Sequence, residues 1–178
     1  MALSPQQIGK VGERLFYKLL ILGSRGKLEA YMPVADEEHR DFEVHIKGAY
    51  RPVLAIQVKC HTRLWLAPGT TIPLLVISFR FLKGRMRTDK LFWYFFACLD
   101  VDAVCFKDPV FIIPSTEVHK HARIADRPGR KQVEFSFVAR LDPRSRDEWS
   151  RYRVAASDVG ERVLQILREL SRDSVKEA

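Results

Sequence analysis

Four side chains, far apart in the chain, have the types and spacing to act together on a phosphate ester: Glu13, Asp41, Gln57 and Lys59. Asp41 and Gln57 are 16 residues apart, and Lys59 follows Gln57 by two. Three of the four bring oxygen donors and the fourth brings an ammonium. Phosphodiester cleavage needs a nucleophilic water, a positive clamp for the pentavalent transition state and help for the leaving oxygen. Mg²⁺, with Mn²⁺ as its substitute, takes hard oxygen ligands in an octahedron and keeps several waters. Asp41, the Gln57 side-chain carbonyl and the Val58 backbone carbonyl are candidate ligands, with Glu13 binding directly or through water. Such a cation acidifies a water and clamps the phosphate, while Lys59 would orient the water or offset developing negative charge.

These residues need a helix and two strands to meet. Ser4-Pro5-Gln6-Gln7 has the cap, first-turn proline and third-position glutamine of a helix start. Ile8, Val11, Leu15, Leu19 and Leu22 continue it at helical spacing, and Gly23 and Gly26 close it. Gly9 and Gly12 cost helix propensity, so they predict another backbone close by, with Glu13 beside the thin wall. Residues 41–46 alternate: Phe42, Val44 and Ile46 on one face, Asp41, Glu43 and His45 on the other. After a turn at Gly48–Pro52, Leu54, Ile56 and Val58 oppose Ala55, Gln57 and Lys59. If the two runs pair as a hairpin, Asp41, Gln57 and Lys59 share a polar face, which this pattern turns to solvent.

The remaining chain predicts further elements. Leu28–Val34 reads as a short strand, Asp36-Glu37-Glu38 as an acidic loop and Leu74–Leu82 as a strand. Thr88 or Asp89 would cap a helix over Lys90–Leu99, its aromatics buried nearly all round. Val101–Phe106 and Val110–Ile113 read as two strands joined at Asp108-Pro109. Ser115 starts a short helix, Lys131–Leu141 alternates with Val133, Phe135 and Phe137 on one face, and Ser157 caps a last helix carrying Val159, Val163, Ile166 and Leu170. No repeats and no linker divide the chain. It reads as a single α/β domain over residues 1–178, with a motif-bearing core over 4–115 and a C-terminal strand and helix extension over 116–178.

The helix with Gly12-Glu13, the strand with Arg40-Asp41-Phe42 and the strand Leu54-Ala55-Ile56-Gln57-Val58-Lys59 resemble the PD-(D/E)XK, or restriction-endonuclease-like, nuclease superfamily. The order helix-Glu, strand-Asp, strand-X-Lys is similar to archaeal Holliday-junction resolvases and related nuclease-like families. The resemblance covers residues 4 to 60. It implies a central mixed β-sheet flanked by helices and Mg²⁺-dependent endonuclease cleavage of DNA. It gives metal binding to Asp41 and Gln57, a catalytic role to Lys59 and metal support to Glu13. Arg40 stands where the family has proline. Gln57 stands where it has an acidic residue, as in certain intron-encoded homing endonucleases. That neutral residue weakens metal binding, Glu43 offering partial compensation, and it motivates a second reading: a catalytically inactive nuclease-fold module that binds nucleic acid or a protein partner. Many members cut two strands as dimers, which makes a homodimer reasonable.

Composition agrees with a nucleic-acid partner. The chain has 178 residues, 47% hydrophobic and 29% charged, and a net charge of +8; basic excess draws polyanions. Lys83, Arg85 and Arg87 form a compact basic turn suited to phosphate contact. Trp65 and Trp149 are candidates for stacking on bases. His119 and His121, two apart, share no helix face and are poor joint metal ligands, and His45 is a candidate neighbour of the metal site. Cys60, Cys98 and Cys105 form no CxxC pair and predict reduced thiols. The longest apolar run, Leu91–Leu99, is far short of the about 20 residues of a membrane span, and charges near the N-terminus argue against a signal peptide. The expected location is cytoplasmic. No G-x-x-x-x-G-K loop supports nucleotide hydrolysis.

Overall fold

A computed structural model describes residues 3–33, 40–82, 86–126, 129 and 131–176. The first helix, α1 (Pro5–Gly23), starts as the sequence predicts: the Ser4 side chain accepts from the Gln7 amide and the Gln7 side chain accepts from the Ser4 amide. Strands β1 (Leu28–Tyr31), β2 (Phe42–Ile46) and β3 (Leu54–His61) follow, then the short β4 (Trp65–Leu66), β5 (Pro73–Leu82), β6 (Phe92–Asp100) and β7 (Cys105–Pro114). Helix α2 (Ser115–His121), β8 (Arg123–Asp126), β9 (Gln132–Arg140), β10 (Arg153–Val154) and α3 (Val159–Lys176) complete the chain.

Two sheets form. The larger has the order β1-β2-β3-β6-β7-β10, with β3 and β6 parallel and its other neighbours antiparallel; the smaller has the order β4-β5-β9-β8. The mixed central sheet agrees with the expectation. Helices α1 and α3 cover one of its faces. There Phe16 packs on Phe42 and Phe95, with ring centroids 5.4 and 4.6 Å apart, and each such fully buried phenylalanine contributes about 1.5–3 kcal/mol. The second sheet covers part of the other face: Phe137 of β9 stacks 4.2 Å from Phe96 of β6. The C-terminal third is built into both layers, β9 pairing with β5 and α3 packing on α1. No described helix is long and apolar enough to cross a membrane.

Several expected elements are corrected. Residues 90–99 are not a helix: β6 is a central strand, covered by helices on one side and the second sheet on the other. Burial on both faces erases alternation, and the β-forming aromatics then decide. The two strands expected around Asp108-Pro109 are one strand, β7, which runs through that dipeptide, while residues 101–104 are a turn. Ser157 does not cap α3. It lies in a 3-10 turn over Ala156–Asp158, and its hydroxyl bonds the Asp158 carboxylate at 2.9 Å. Trp149 is 1% exposed and packs on Phe137, so it is a core residue, whereas Trp65 is exposed. β1 stops at Tyr31, short of the expected Val34; Val34, the acidic stretch at 36–38, Lys83 and Arg85 lie outside the described residues.

Candidate active site

The β2–β3 pairing determines where the polar residues go. Phe42 stands opposite Ile56 and Val44 opposite Leu54. Just ahead of β2, the Asp41 amide donates to the Ile56 carbonyl at 3.1 Å, which carries the register on to Asp41 and Gln57. The Asp41 carboxylate then reaches across the hairpin and accepts from the Val58 amide at 2.7 Å. Leu54, Ile56 and Val58 enter the helix-side core while Ala55 packs on the opposite side, so alternation puts Gln57 and Lys59 on Ala55's side.

That face is not the solvated one the pattern suggests. Gln57 is 2% exposed, and its Oε1 is buried with no hydrogen-bond partner among the described residues. The reason is the second sheet, whose β5 packs over β3. A buried carbonyl without a donor costs about 1–3 kcal/mol, so an acceptor left open in a well-packed layer points to a missing partner. Asp41 and Lys59 are half-buried on either side. Described His, Cys, Asp and Glu residues form no group of three able to hold a metal; the oxygen set here includes an amide and a backbone carbonyl, which such a group does not contain.

Glu13 arrives from the helix side. Its side chain is 13% exposed, and its carboxylate accepts from Lys10 Nζ at 2.7 Å. Gly12 explains the close approach: a Cβ there would lie 2.4 Å from Cys60 Sγ and 4.0 Å from Val58 Cγ1. The near neighbour is a side chain rather than the expected backbone, and Gly9 has nothing within 4 Å. Cys60, on the helix side of β3, lies within electrostatic reach of three of the four candidate residues. Burial pushes its thiol up to about 11, the Glu13 carboxylate pushes the same way, Lys59 opposes, and Asp41 adds a smaller rise. Glu13, Asp41 and Lys59 thus all act electrostatically on one sulfur. Because the thiolate is the nucleophile, Cys60 is expected to resist iodoacetamide at pH 8 while exposed Cys105 is alkylated. Peptide mapping by mass spectrometry reads the result; equal labelling of the two would contradict the burial.

Other predicted residues fall outside this cluster. His45 Nδ1 lies 2.9 Å from the Ala49 carbonyl, and its ring stacks on Tyr31. His119 sits between Thr88 Oγ1 at 2.8 Å and Tyr94 OH at 2.9 Å, with burial lowering its pKa to about 4, whereas His121 faces Glu117; they form no joint site. Glu43 pairs with Arg40 at 2.6 Å. These two line a cavity of about 430 Å³ with Ala55, Arg87 and Asp89. Arg87 therefore lies beside the candidate site. Asp89 and the cavity walls Phe81 and Phe92 are functional candidates that the sequence reading missed, since nothing in a linear pattern marks residues brought together by two sheets.

The architecture defined so far is a two-sheet α/β fold whose mixed sheet carries an acid-amide-lysine set on one hairpin. No family model matches the chain, and no curated protein matches it. Among solved structures, a bacterial homing endonuclease, I-Ssp6803I, superposes with a TM-score of 0.56 over 96% of this chain and 98% of that one, at 17% sequence identity. At that identity the likeness is one of fold.

Proposed function

We propose that the protein is a metal-dependent endonuclease that hydrolyses DNA phosphodiester bonds, using a PD-(D/E)XK-type site with glutamine in the acidic position. The observation that carries this reading is the buried Gln57 Oε1, without a partner among the described residues, on the strand beside Asp41. The fold shared with a homing endonuclease and the net charge of +8 support it.

Asp41, Gln57 Oε1 and the Val58 carbonyl would hold Mg²⁺ or Mn²⁺, with Glu13 joining through water. Hard oxygen donors of this kind fit such a cation. When bound, the cation would lower the pKa of a water and offset phosphate charge. The chain's own residues do the rest. The Val58 amide fixes the Asp41 carboxylate in place. β3 carries Lys59 about 6.4–6.8 Å beyond Gln57, where its ammonium orients the attacking water and stabilises charge developing on the phosphate. Packing under the second sheet holds Gln57 against solvent competition.

Gln57→Leu separates the two readings of this site. It deletes an acceptor without a donor, so stability is expected to rise by about 1 kcal/mol, while Mg²⁺- or Mn²⁺-dependent cleavage of plasmid and branched DNA disappears. Unchanged cleavage would overturn the proposal. Wild-type protein that binds DNA in a salt-dependent way but never cuts it with either cation would favour the inactive module.

A further inference from the structure

A second cavity, of about 660 Å³, lies on the opposite edge of the large sheet, where β7, β10 and the segment after β9 meet. Its polar lining is Asp108, Arg144, Ser145, Arg146, Ser150 and Arg153. The lining holds three arginines and one carboxylate; Asp108 Oδ1 is engaged by the Ala156 amide at 2.7 Å, and Asp147, just outside the lining, offsets Arg153 alone. Arg153 is pinned. Its Nη1 donates to the Ser145 carbonyl at 2.7 Å, and its Nη2 donates to the Arg140 carbonyl at 3.0 Å and to Asp147 at 3.2 Å. Its Nε is buried with no acceptor among the described residues, so the fork is one acceptor short. Arg144 and Arg146 are exposed, and neither is paired with a described carboxylate.

We propose that this cavity is a second phosphate site, taking a backbone phosphate of the DNA whose cleavage is assigned to the β2–β3 hairpin. Planar guanidinium groups match phosphate oxygens in charge and geometry. Register gives the reach. Lys59 pairs with Phe96, Phe96 with Phe111 and Phe111 with Arg153, so Lys59 and Arg153 end one row on one face of the sheet. Three strand spacings separate the two backbones by about 14 Å; Phe96 and Phe111 between them are buried beneath the second sheet, so a duplex would join the two ends around that layer and not along the row. The source of the phosphate rests on the nuclease reading; the anion chemistry does not.

The test compares wild type with Arg144→Ala/Arg146→Ala, both exposed positions, and with Arg162→Ala/Arg168→Ala, which removes the same charge from α3. Affinity for a short duplex is measured by fluorescence anisotropy between 50 and 200 mM salt, and cleavage is measured at saturating DNA. In the cavity variant the log–log salt slope is expected to fall by about 1, for the one phosphate that is no longer neutralised. The α3 variant should keep the wild-type slope, and cleavage at saturation should persist in both. Equal slopes in the wild type and cavity variant would overturn the proposal. So would inorganic phosphate binding to the cavity, by calorimetry, in a protein whose duplex affinity the cavity variant leaves unchanged. A reduced slope with no cleavage by any of the proteins would uphold the phosphate site and remove the nuclease reading instead.

Discussion

Asp41→Asn is expected to abolish cleavage by at least about a hundredfold while leaving the thermal midpoint unchanged. Removing a single well-placed electrostatic interaction with a transition state costs on this scale, and Asp41 supplies the only full negative charge of the hairpin's acid-amide-lysine set. The substitution is chosen from its hydrogen bond. An asparagine oxygen can still accept from the Val58 amide, now 2.7 Å from the carboxylate. Asp41→Ala leaves that amide unpaired and should cost a further about 1–3 kcal/mol of stability, which would mix folding with chemistry. Lys59→Ala should reduce kcat by a similar factor with little change in KM, because an ammonium that acts on developing charge contributes mainly in the transition state. DNA affinity without metal should hold or rise in Asp41→Asn, which removes a negative charge from the phosphate's neighbourhood. Single-turnover cleavage in Mn²⁺, with binding measured separately, decides the matter. Equal cutting by wild type, Asp41→Asn and Lys59→Ala would end the nuclease reading.

The hairpin is legible in the sequence because one of its faces is a continuous apolar core. Phe42, Val44, Leu54, Ile56 and Val58 must all point inward, and that alone orients Asp41, Gln57 and Lys59. The start of α1 is legible because capping is local chemistry. What escapes reading depends on packing between distant elements. The residues of β6 look helical in isolation, since a strand buried on both faces loses its period. The second sheet converts the expected solvated face of β3 into a half-covered one, and Gln57 changes from a surface amide into a buried acceptor. Trp149 gives no local sign of its burial, because the loop carrying it folds against β9. The candidate site is thus readable as a set of residues, but the property that distinguishes it, an unpaired oxygen under a layer, comes from packing that only the assembled sheets produce.

Glycines show the same division, and they supply the second large effect. Gly160, in the first turn of α3, crosses the end of α1. A Cβ there would lie 2.4 Å from the Ser24 nitrogen, 2.6 Å from the Gly23 carbonyl carbon and 2.7 Å from the Leu20 carbonyl oxygen. All three are backbone atoms of a capped helix end, so no side chain can swing aside, and the helices must separate over the core they share through Leu20, Val163 and Leu167. Gly160→Ala is therefore expected to cost about 3 kcal/mol, the upper end of overpacking, and to lower the midpoint by about 6–12 °C for a chain of this size. Gly9→Ala runs the other way. It sits inside α1 with nothing within 4 Å of an added Cβ, so it should gain about 0.5–1 kcal/mol from helix propensity alone. Denaturant unfolding of both variants gives the two signs directly. A neutral Gly160→Ala would mean that α1 and α3 do not approach at this crossing. Since α1 also carries Glu13, a shift there should lower any metal-dependent cleavage along with stability, whereas Gly9→Ala should leave cleavage intact.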